Sequence, residues 1–393
     1  MPSCSRLALS ARRPEHLRQS HEDSLFPRCH VFRTLCCSIV LLAAFTTAGA
    51  QGAGNPWATR GAQGTALLRN FEFKAGGRLD TLKLHYTTLG TPRRGRDGTV
   101  RNAVLVLHGT GGTGRGFLNP TYAGGLFGPG QPLDSAKYYI VLPDGIGHGE
   151  SSKPSDGLHA RFPKYGYQDM VTAQQRMLTE ALHVTHLRVI VGTSMGCMHA
   201  FTWGWMYPGF ADALAPMACA ATQIAGRNRM MRTMAMDAIR LDPEWRGGEY
   251  TAPPRAGLRS AMQILYMMGT APLLQQRQAP TRDAADSVIR AFMDARMAVT
   301  DANDFLYQFD ASSDYDPSSR LQEIRVPVLH INSADDEVNP PELGLVERLN
   351  SRMPHARFIL LPISQQTRGH GTHSLPAIWG ETLREFLGTL ATP

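Results

Sequence analysis

The sequence predicts an α/β fold in which helices cover both faces of a mostly parallel sheet, with a helical cap inserted into the core. Short apolar runs alternate with helical patterns along most of the chain. Because continuous apolar strands with helices between them are typical of a parallel sheet buried on both faces, this alternation indicates the fold class. A helical stretch at residues 221–315 interrupts the alternation, which indicates an insertion.

The core is therefore predicted in two parts, residues 51–220 and residues 316–393, on either side of the cap. The first part opens with an antiparallel hairpin at residues 71–73 and 79–88. The parallel strands predicted after it are the apolar runs 104–107, 138–142, 189–191, 213–217, 326–331 and 358–361.

The predicted cap is helical by pattern and dense in methionine. Pro253-Pro254 and Ala279-Pro280 divide it into several short helices, because proline interrupts a helix. Two interpretations of the methionines stay open: packing between cap helices, or an adaptable apolar wall for a substrate or a partner. These methionines are Met230, Met231, Met234, Met236, Met262, Met267, Met268, Met293 and Met297.

Residues 1–50 show the order of charged, apolar and small residues that is typical of a secretory leader, and they are not expected to belong to the fold. Arg28 and Arg33 precede the apolar run 38–45, and Ala48-Gly49-Ala50 follows it. The run is short for a transmembrane span, so stable membrane insertion is not expected. The leader predicts a periplasmic or secreted protein, with an anchoring helix or a mitochondrial-type leader as the alternatives.

The charge of the chain does not favour a nucleic-acid partner. The whole chain carries a net charge of +7, and six of its basic and three of its acidic residues lie in the leader, which leaves +4 for the rest. No basic tract accompanies this mild excess. The expected partner is therefore a small molecule and not a nucleic acid.

Only two of the six cysteines, Cys197 and Cys219, lie beyond the leader. Two cysteines do not make a disulfide framework, so the sequence predicts buried free thiols. Pairing in an oxidising compartment is the alternative.

The most informative motif is Gly192-Thr193-Ser194-Met195-Gly196, between an apolar strand and a predicted helix. A Gly-x-Ser-x-Gly sequence in this context predicts a nucleophile elbow, a sharp turn that lifts the serine hydroxyl above the sheet edge. Ser194 is therefore the predicted nucleophile. Because a serine hydroxyl is a weak nucleophile at neutral pH, it requires a base, and the base requires an acid that holds its tautomer.

The acid and the base are predicted after the last two strands. Asp336 follows the strand 326–331 and is the predicted acid, with Asp335 as the alternative. His370 lies between two glycines after the last strand and is the predicted base, with His373 as the alternative.

The oxyanion hole is predicted from two backbone N–H groups, those of Met195 and Thr110. Thr110 lies in the glycine-rich loop 108–112, after the strand 104–107. The loop lacks the Gly-Lys-Ser/Thr ending of a phosphate-binding loop. Since no further histidine or carboxylate cluster supports a metal site, neither a metal nor a cofactor is expected.

Together these residues resemble the α/β-hydrolase superfamily, and within it the homoserine O-acetyltransferase branch. The stretches that carry the resemblance are 86–90, 128–134, 162–163, 167–174, 192–196, Trp203 and 207–208. The resemblance implies a triad of Ser194, Asp336 and His370, a reaction without a metal, and a cap that can form a homodimer interface.

Two departures from that branch bear on the reaction. The loop 108–112 differs from the His-Ala-Leu-Thr-Gly type of the transacetylases, and Gln308 stands where their late cap carries an arginine. Acetyl-CoA is a cytosolic donor, which an exported enzyme would lack. The sequence therefore predicts a serine carboxylic ester hydrolase, with an acetyl-CoA-dependent acyltransferase as the alternative and a non-catalytic binding protein as a third interpretation.

Overall fold

The computed structural model describes residues 55–390, so the predicted leader at 1–50 lies outside the described residues. The sheet has eight strands in the order β1-β2-β4-β3-β5-β6-β7-β8, antiparallel up to β4 and parallel from there. The predicted fold class is confirmed. The strands are β1 Ala62–Glu72, β2 Arg78–Leu89, β3 Ala103–Leu107, β4 Tyr139–Pro143, β5 Val189–Thr193, β6 Leu214–Met217, β7 Val328–Ser333 and β8 Ala356–Leu361.

Ten α-helices accompany the strands within the described residues. Those of the core are α1 Pro120–Leu126, α2 Tyr167–Arg176, α3 Met195–Met206, α9 Leu345–Asn350 and α10 Pro376–Thr389. Those between β6 and β7 are α4 Gly226–Arg240, α5 Arg255–Gly269, α6 Pro272–Gln278, α7 Arg282–Met297 and α8 Ala302–Asp310. None of these helices is long and apolar enough to cross a membrane.

The central strands β3, β4, β5 and β6 are buried at every position, because helices pack on both faces of the sheet. Their continuous apolar composition explains why the sequence predicted them. The edge strand β1 begins at Ala62, well before the predicted start at 71, since it alternates buried residues such as Ala66 and Leu68 with exposed ones. An edge strand of this kind has no continuous apolar run.

The helices between β6 and β7 enclose a core of their own. Met236, Met262, Met268 and Met293 are buried in it, together with aromatic residues of α8. Packing between helices therefore accounts for these four methionines. The boundaries 221–315 of the cap remain a prediction.

Candidate active site

Ser194 lies at the turn from β5 into α3, in a backbone conformation that few residues adopt, with φ 54° and ψ −111°. The glycines around it are required by close backbone contacts. A Cβ on Gly192 would lie 2.0 Å from the carbonyl oxygen of Gly196, and one on Gly196 would lie 2.2 Å from that of Leu107. The motif thus lets β3, β5 and α3 meet closely enough to form the elbow.

The structure brings Ser194, His370 and Asp336 into one hydrogen-bonded relay. Ser194 Oγ lies 2.8 Å from His370 Nε2. His370 Nδ1 lies 3.0 and 3.1 Å from the two carboxylate oxygens of Asp336. Asp336 follows β7 and His370 follows β8, so the parallel strands deliver both side chains to the edge of the sheet where Ser194 stands.

The surroundings of Asp336 keep its carboxylate ionised although it is buried. Burial alone would raise its pKa, but the His370 imidazole and hydrogen bonds from Asn339 outweigh that effect, so the pKa lies below its usual value. The backbone N–H groups of Val338 and Asn339 donate to Asp336 Oδ1 at 2.8 and 3.2 Å. An ionised Asp336 holds the proton of His370 on Nδ1, which leaves Nε2 free to accept the Ser194 proton.

Asp335 and His373, the alternatives for the acid and the base, lie outside the relay. Asp335 Oδ2 accepts a hydrogen bond from the Gly369 N–H at 3.0 Å and so fixes the loop that carries His370. His373 is buried, and burial together with the neighbouring His370 lowers its pKa to about 3. No hydrogen bond joins either residue to Ser194 within residues 55–390. The geometry therefore favours Asp336 and His370, whose catalytic roles remain predictions.

Both predicted oxyanion donors lie free of protein acceptors. In the part of the chain that the structure describes, the N–H groups of Met195 and Thr110 donate no hydrogen bond. The loop of Thr110 passes close to the nucleophile, since a Cβ on Gly109 would lie 3.2 Å from Ser194 Cβ. Two backbone N–H groups beside a serine can stabilise an oxyanion, and both roles stay predictions.

His108 holds this loop in place, a role that the sequence did not reveal. Its Nδ1 donates to the Gly109 carbonyl oxygen at 2.8 Å, and its Nε2 accepts from the Gly145 N–H at 2.9 Å. Burial lowers the pKa of His108, so the imidazole is neutral and can donate from one nitrogen while accepting at the other.

The expectation of free thiols is wrong, because Cys197 and Cys219 form a disulfide with 5.9 Å between their Cα atoms. Cys197 lies in the first turn of α3 and Cys219 lies just after β6. Since β5 and β6 are parallel neighbours, the segments that follow them lie side by side. His330 lies close to both sulfur atoms, but these are bonded to each other and are not available to a metal.

A cavity of about 550 Å³ opens beside Ser194 and His370. One wall is the segment from β6 into α4, including Arg227 and Arg232, and the opposite wall is the loop between β7 and α9, including Glu337. Arg227 and Glu337 form an ion pair at 3.0 Å that joins the two walls. None of the cap methionines lines this cavity, so they do not form its wall.

Gln308, which stands where the resemblance would place an arginine, is engaged elsewhere. Its Nε2 donates to the carbonyl oxygen of Gly147 at 2.7 Å.

The sequence analysis did not single out Arg232, although its position in the helix pattern was a signal. It shares the buried stripe of α4 with Ala235, Met236 and Ile239, at the spacing of an apolar helix face. A cation at such a position has to be explained by its surroundings.

Residues 102–362 match the family model described as the alpha/beta hydrolase fold. A probable acyltransferase from Methanothermobacter thermautotrophicus is 28% identical over 75% of this chain and 88% of its own length. A homoserine O-acetyltransferase from Moorella thermoacetica is 37% identical over 49% of this chain and 54% of its own length.

Among solved structures, an acetylester hydrolase from Corynebacterium glutamicum superimposes with a TM-score of 0.71 at 22% sequence identity. The match covers 84% of this chain and 96% of that one. At this level of identity the likeness concerns the fold. The comparisons thus include proteins named for acyl transfer and proteins named for ester hydrolysis.

Proposed function

Since this chain belongs to the α/β-hydrolase fold family, in its homoserine O-acetyltransferase-like branch, we propose that it is a serine carboxylic ester hydrolase that works through an acyl-enzyme. The observation that carries the proposal is the relay from Ser194 Oγ through His370 to Asp336, with both distances in the hydrogen-bond range. A nucleophile, a base and an orienting acid in this order are what acyl transfer to a serine requires.

In the acylation half-reaction, Ser194 Oγ attacks the carbonyl carbon of the ester as His370 Nε2 takes its proton. The tetrahedral oxyanion accepts hydrogen bonds from the N–H groups of Met195 and Thr110. When the intermediate collapses, the alkoxy group leaves with the proton from His370. The acyl group then remains on Ser194, and Asp336 has stabilised the imidazolium throughout without becoming protonated.

In the second half-reaction, water is the proposed acceptor. His370 takes a proton from a water molecule that attacks the acyl carbon, and it returns that proton to Ser194 as the acid is released. The predicted leader supports this choice, because an exported enzyme would lack acetyl-CoA, which is a cytosolic acyl donor. The Cys197–Cys219 disulfide agrees with an oxidising compartment, where such bonds persist.

Acetyl transfer from acetyl-CoA to a small alcohol such as homoserine is the second candidate. It is favoured by the relatives, which are named as acyltransferases. The same relay would serve it, since both reactions pass through an acyl-enzyme and differ in the acyl donor and in the group that attacks that intermediate. One N–H of Gln308 is engaged by Gly147, and its neutral amide cannot supply the positive charge that an arginine would offer an acceptor carboxylate.

The relay is tested by covalent labelling. A fluorophosphonate probe should label the wild-type protein, and Ser194→Ala should abolish the labelling. Ser260→Ala is the matched control, because Ser260 is exposed on α5 and, among the described residues, its hydroxyl bonds only to the Ala256 carbonyl. A protein that is not labelled although it is folded would be a binding protein on this scaffold.

The reaction is tested by two assays side by side. Hydrolysis of p-nitrophenyl acetate should be rapid and should be lost in Ser194→Ala and in His370→Gln. Incubation with acetyl-CoA should release thiol slowly, and homoserine should not accelerate that release. Thiol release that depends on homoserine would overturn the proposal in favour of the acyltransferase.

A further inference from the structure

Arg232 is a buried cation in the cavity of the nucleophile. Its side chain is 4% exposed and lines the same cavity as Ser194 and His370. Among residues 55–390 it forms no ion pair with a carboxylate. A guanidinium stays protonated even when it is buried. A charge kept from water without a partner of opposite sign is strongly unfavourable, so such an arrangement calls for a ligand or another compensation.

The contacts that Arg232 does make satisfy it only in part. Its Nε donates to Asn228 Oδ1 at 3.0 Å, and its Nη1 reaches Ser312 Oγ at the long distance of 3.5 Å. Its guanidinium carbon lies 5.2 Å from the centre of the Phe309 ring. These partners are all neutral, and a guanidinium carries five N–H donors. Donor capacity and positive charge therefore both remain unmatched.

Tyr167, which lies next to Arg232, and its neighbour Thr110 each carry a buried hydroxyl without a well-aligned hydrogen bond to the described residues. Tyr167 OH is buried within interaction range of Arg232, Thr110 and Ser312, although none of these contacts meets full hydrogen-bond geometry. Thr110 Oγ1, on the loop of the predicted oxyanion hole, is likewise buried without a partner among residues 55–390. Burial of such hydroxyls without a partner is rare. Arg232 lines the cavity and the Tyr167 hydroxyl lies beside it, so both can donate to an anionic oxygen bound there.

The other arginine of the cavity provides the contrast. The side chain of Arg227 is more than half exposed. Its Nη1 and Nη2 each donate to Glu337 Oε2 at 3.0 Å. Its charge is thus neutralised by a carboxylate of the protein itself. Arg232 has the same chemistry in a more buried place, and the carboxylate that would match it is not supplied by the described chain.

We infer that Arg232 receives a carboxylate of the substrate, so that the enzyme prefers esters which carry a carboxylate in their acyl or alcohol half. The inference rests on the proposed function and narrows its substrate class. A carboxylate is planar and accepts two parallel N–H bonds from a guanidinium, which gives both affinity and orientation. The helix α4 would thereby fix the ester relative to Ser194.

The test uses esters in matched pairs of equal shape. Monoethyl succinate and ethyl isohexanoate differ in a carboxylate or an isopropyl group at the end of the acyl half. The pair γ-acetoxybutyrate and isohexyl acetate differs in the same way in the alcohol half. For at least one pair, the wild-type protein should hydrolyse the anionic ester with a kcat/KM about 10- to 100-fold higher, mainly through a lower KM.

Substitutions then assign the preference to Arg232. Arg232→Gln should abolish it while hydrolysis of the neutral esters continues, and Arg232→Lys should retain part of it. Arg240→Gln is the control, because Arg240 is exposed at the end of the same helix and should leave the preference unchanged. Thermal melts establish that each variant is folded. A folded Arg232→Gln protein that keeps the preference would overturn the inference.

A binding measurement separates this inference from the proposed function. Calorimetry with the Ser194→Ala protein should detect tighter binding of an anionic ester than of its neutral match, and Arg232→Gln in that background should remove the difference. Equal binding of both members of each pair overturns the carboxylate site even if Arg232→Gln does not fold. Absence of hydrolysis of all four esters by the wild-type protein overturns the esterase proposal instead, and calorimetry still decides the carboxylate site.

Discussion

The disulfide between Cys197 and Cys219 should contribute a measurable share of the stability. The bond closes a loop between cysteines that are 22 positions apart. In the chain-entropy description, a cross-link of that length removes about 11 cal/mol/K from the unfolded ensemble, which amounts to about 3 kcal/mol at room temperature. Both cysteines are buried, and Cys197 lies two positions after Met195, so the cross-link ties the first turn of α3 to the segment after β6.

The measurement is the free energy of unfolding in urea, with and without reductant. Thiol labelling followed by peptide mapping reports whether Cys197 and Cys219 are reduced. The reduced protein should lose about 3 kcal/mol. Reductant should change nothing in the Cys197→Ala/Cys219→Ala variant, which controls for effects on the rest of the chain. A loss below about 1 kcal/mol in fully reduced wild-type protein would refute the entropic reasoning.

Three further predictions concern the relay, the elbow and a buried acid. Asp336→Asn should lower kcat about 10,000-fold in a protein that remains folded, because the amide allows the wrong imidazole tautomer; a loss under about tenfold would contradict this. Gly196→Ala should destabilise the fold by about 3 kcal/mol or more, since its Cβ would lie 2.2 Å from a backbone oxygen, whereas Gly388→Ala, with open space in α10, should not, and urea unfolding compares the two. Burial raises the pKa of Asp304 to about 6. Because the carboxyl group of the unfolded chain already ionises near pH about 4, the wild-type protein should lose about 3 kcal/mol of unfolding free energy as the pH rises from about 4 to about 6, and Asp304→Asn should not. Equal pH profiles of the two proteins would argue against this.

The sequence was sufficient for the sheet and the elbow because their signals are local. A buried parallel strand is a continuous apolar run, and Gly-x-Ser-x-Gly records contacts within five residues. Asp336 and His370 could be selected because this fold fixes the chain order of its catalytic residues and the sheet edge at which they meet. Their neighbours Asp335 and His373 could be separated from them only by the direction of each side chain, which a sequence does not contain.

The features that escaped prediction depend on which elements are neighbours in space. The pairing of Cys197 with Cys219 requires that β5 and β6 be adjacent, which the strand order of the sheet decides. The cavity depends on how the segment leading into α4 faces the loop after β7. The importance of Arg232 follows from the absence of a carboxylate around it among the described residues, and a sequence alone gives no list of spatial neighbours.

The charged side chains that line the cavity bear on the choice between hydrolysis and transfer to homoserine, because the relay serves both reactions. Homoserine presents an ammonium group together with its carboxylate, so its site needs an acid as well as a cation. Glu337 is the only carboxylate side chain among the described residues that line the cavity, and Arg227 already holds it. A substrate with a carboxylate and no ammonium group therefore suits the cavity better than an amino acid does. The side chain of His370 remains 14% exposed, which is compatible with water reaching the base that would activate it.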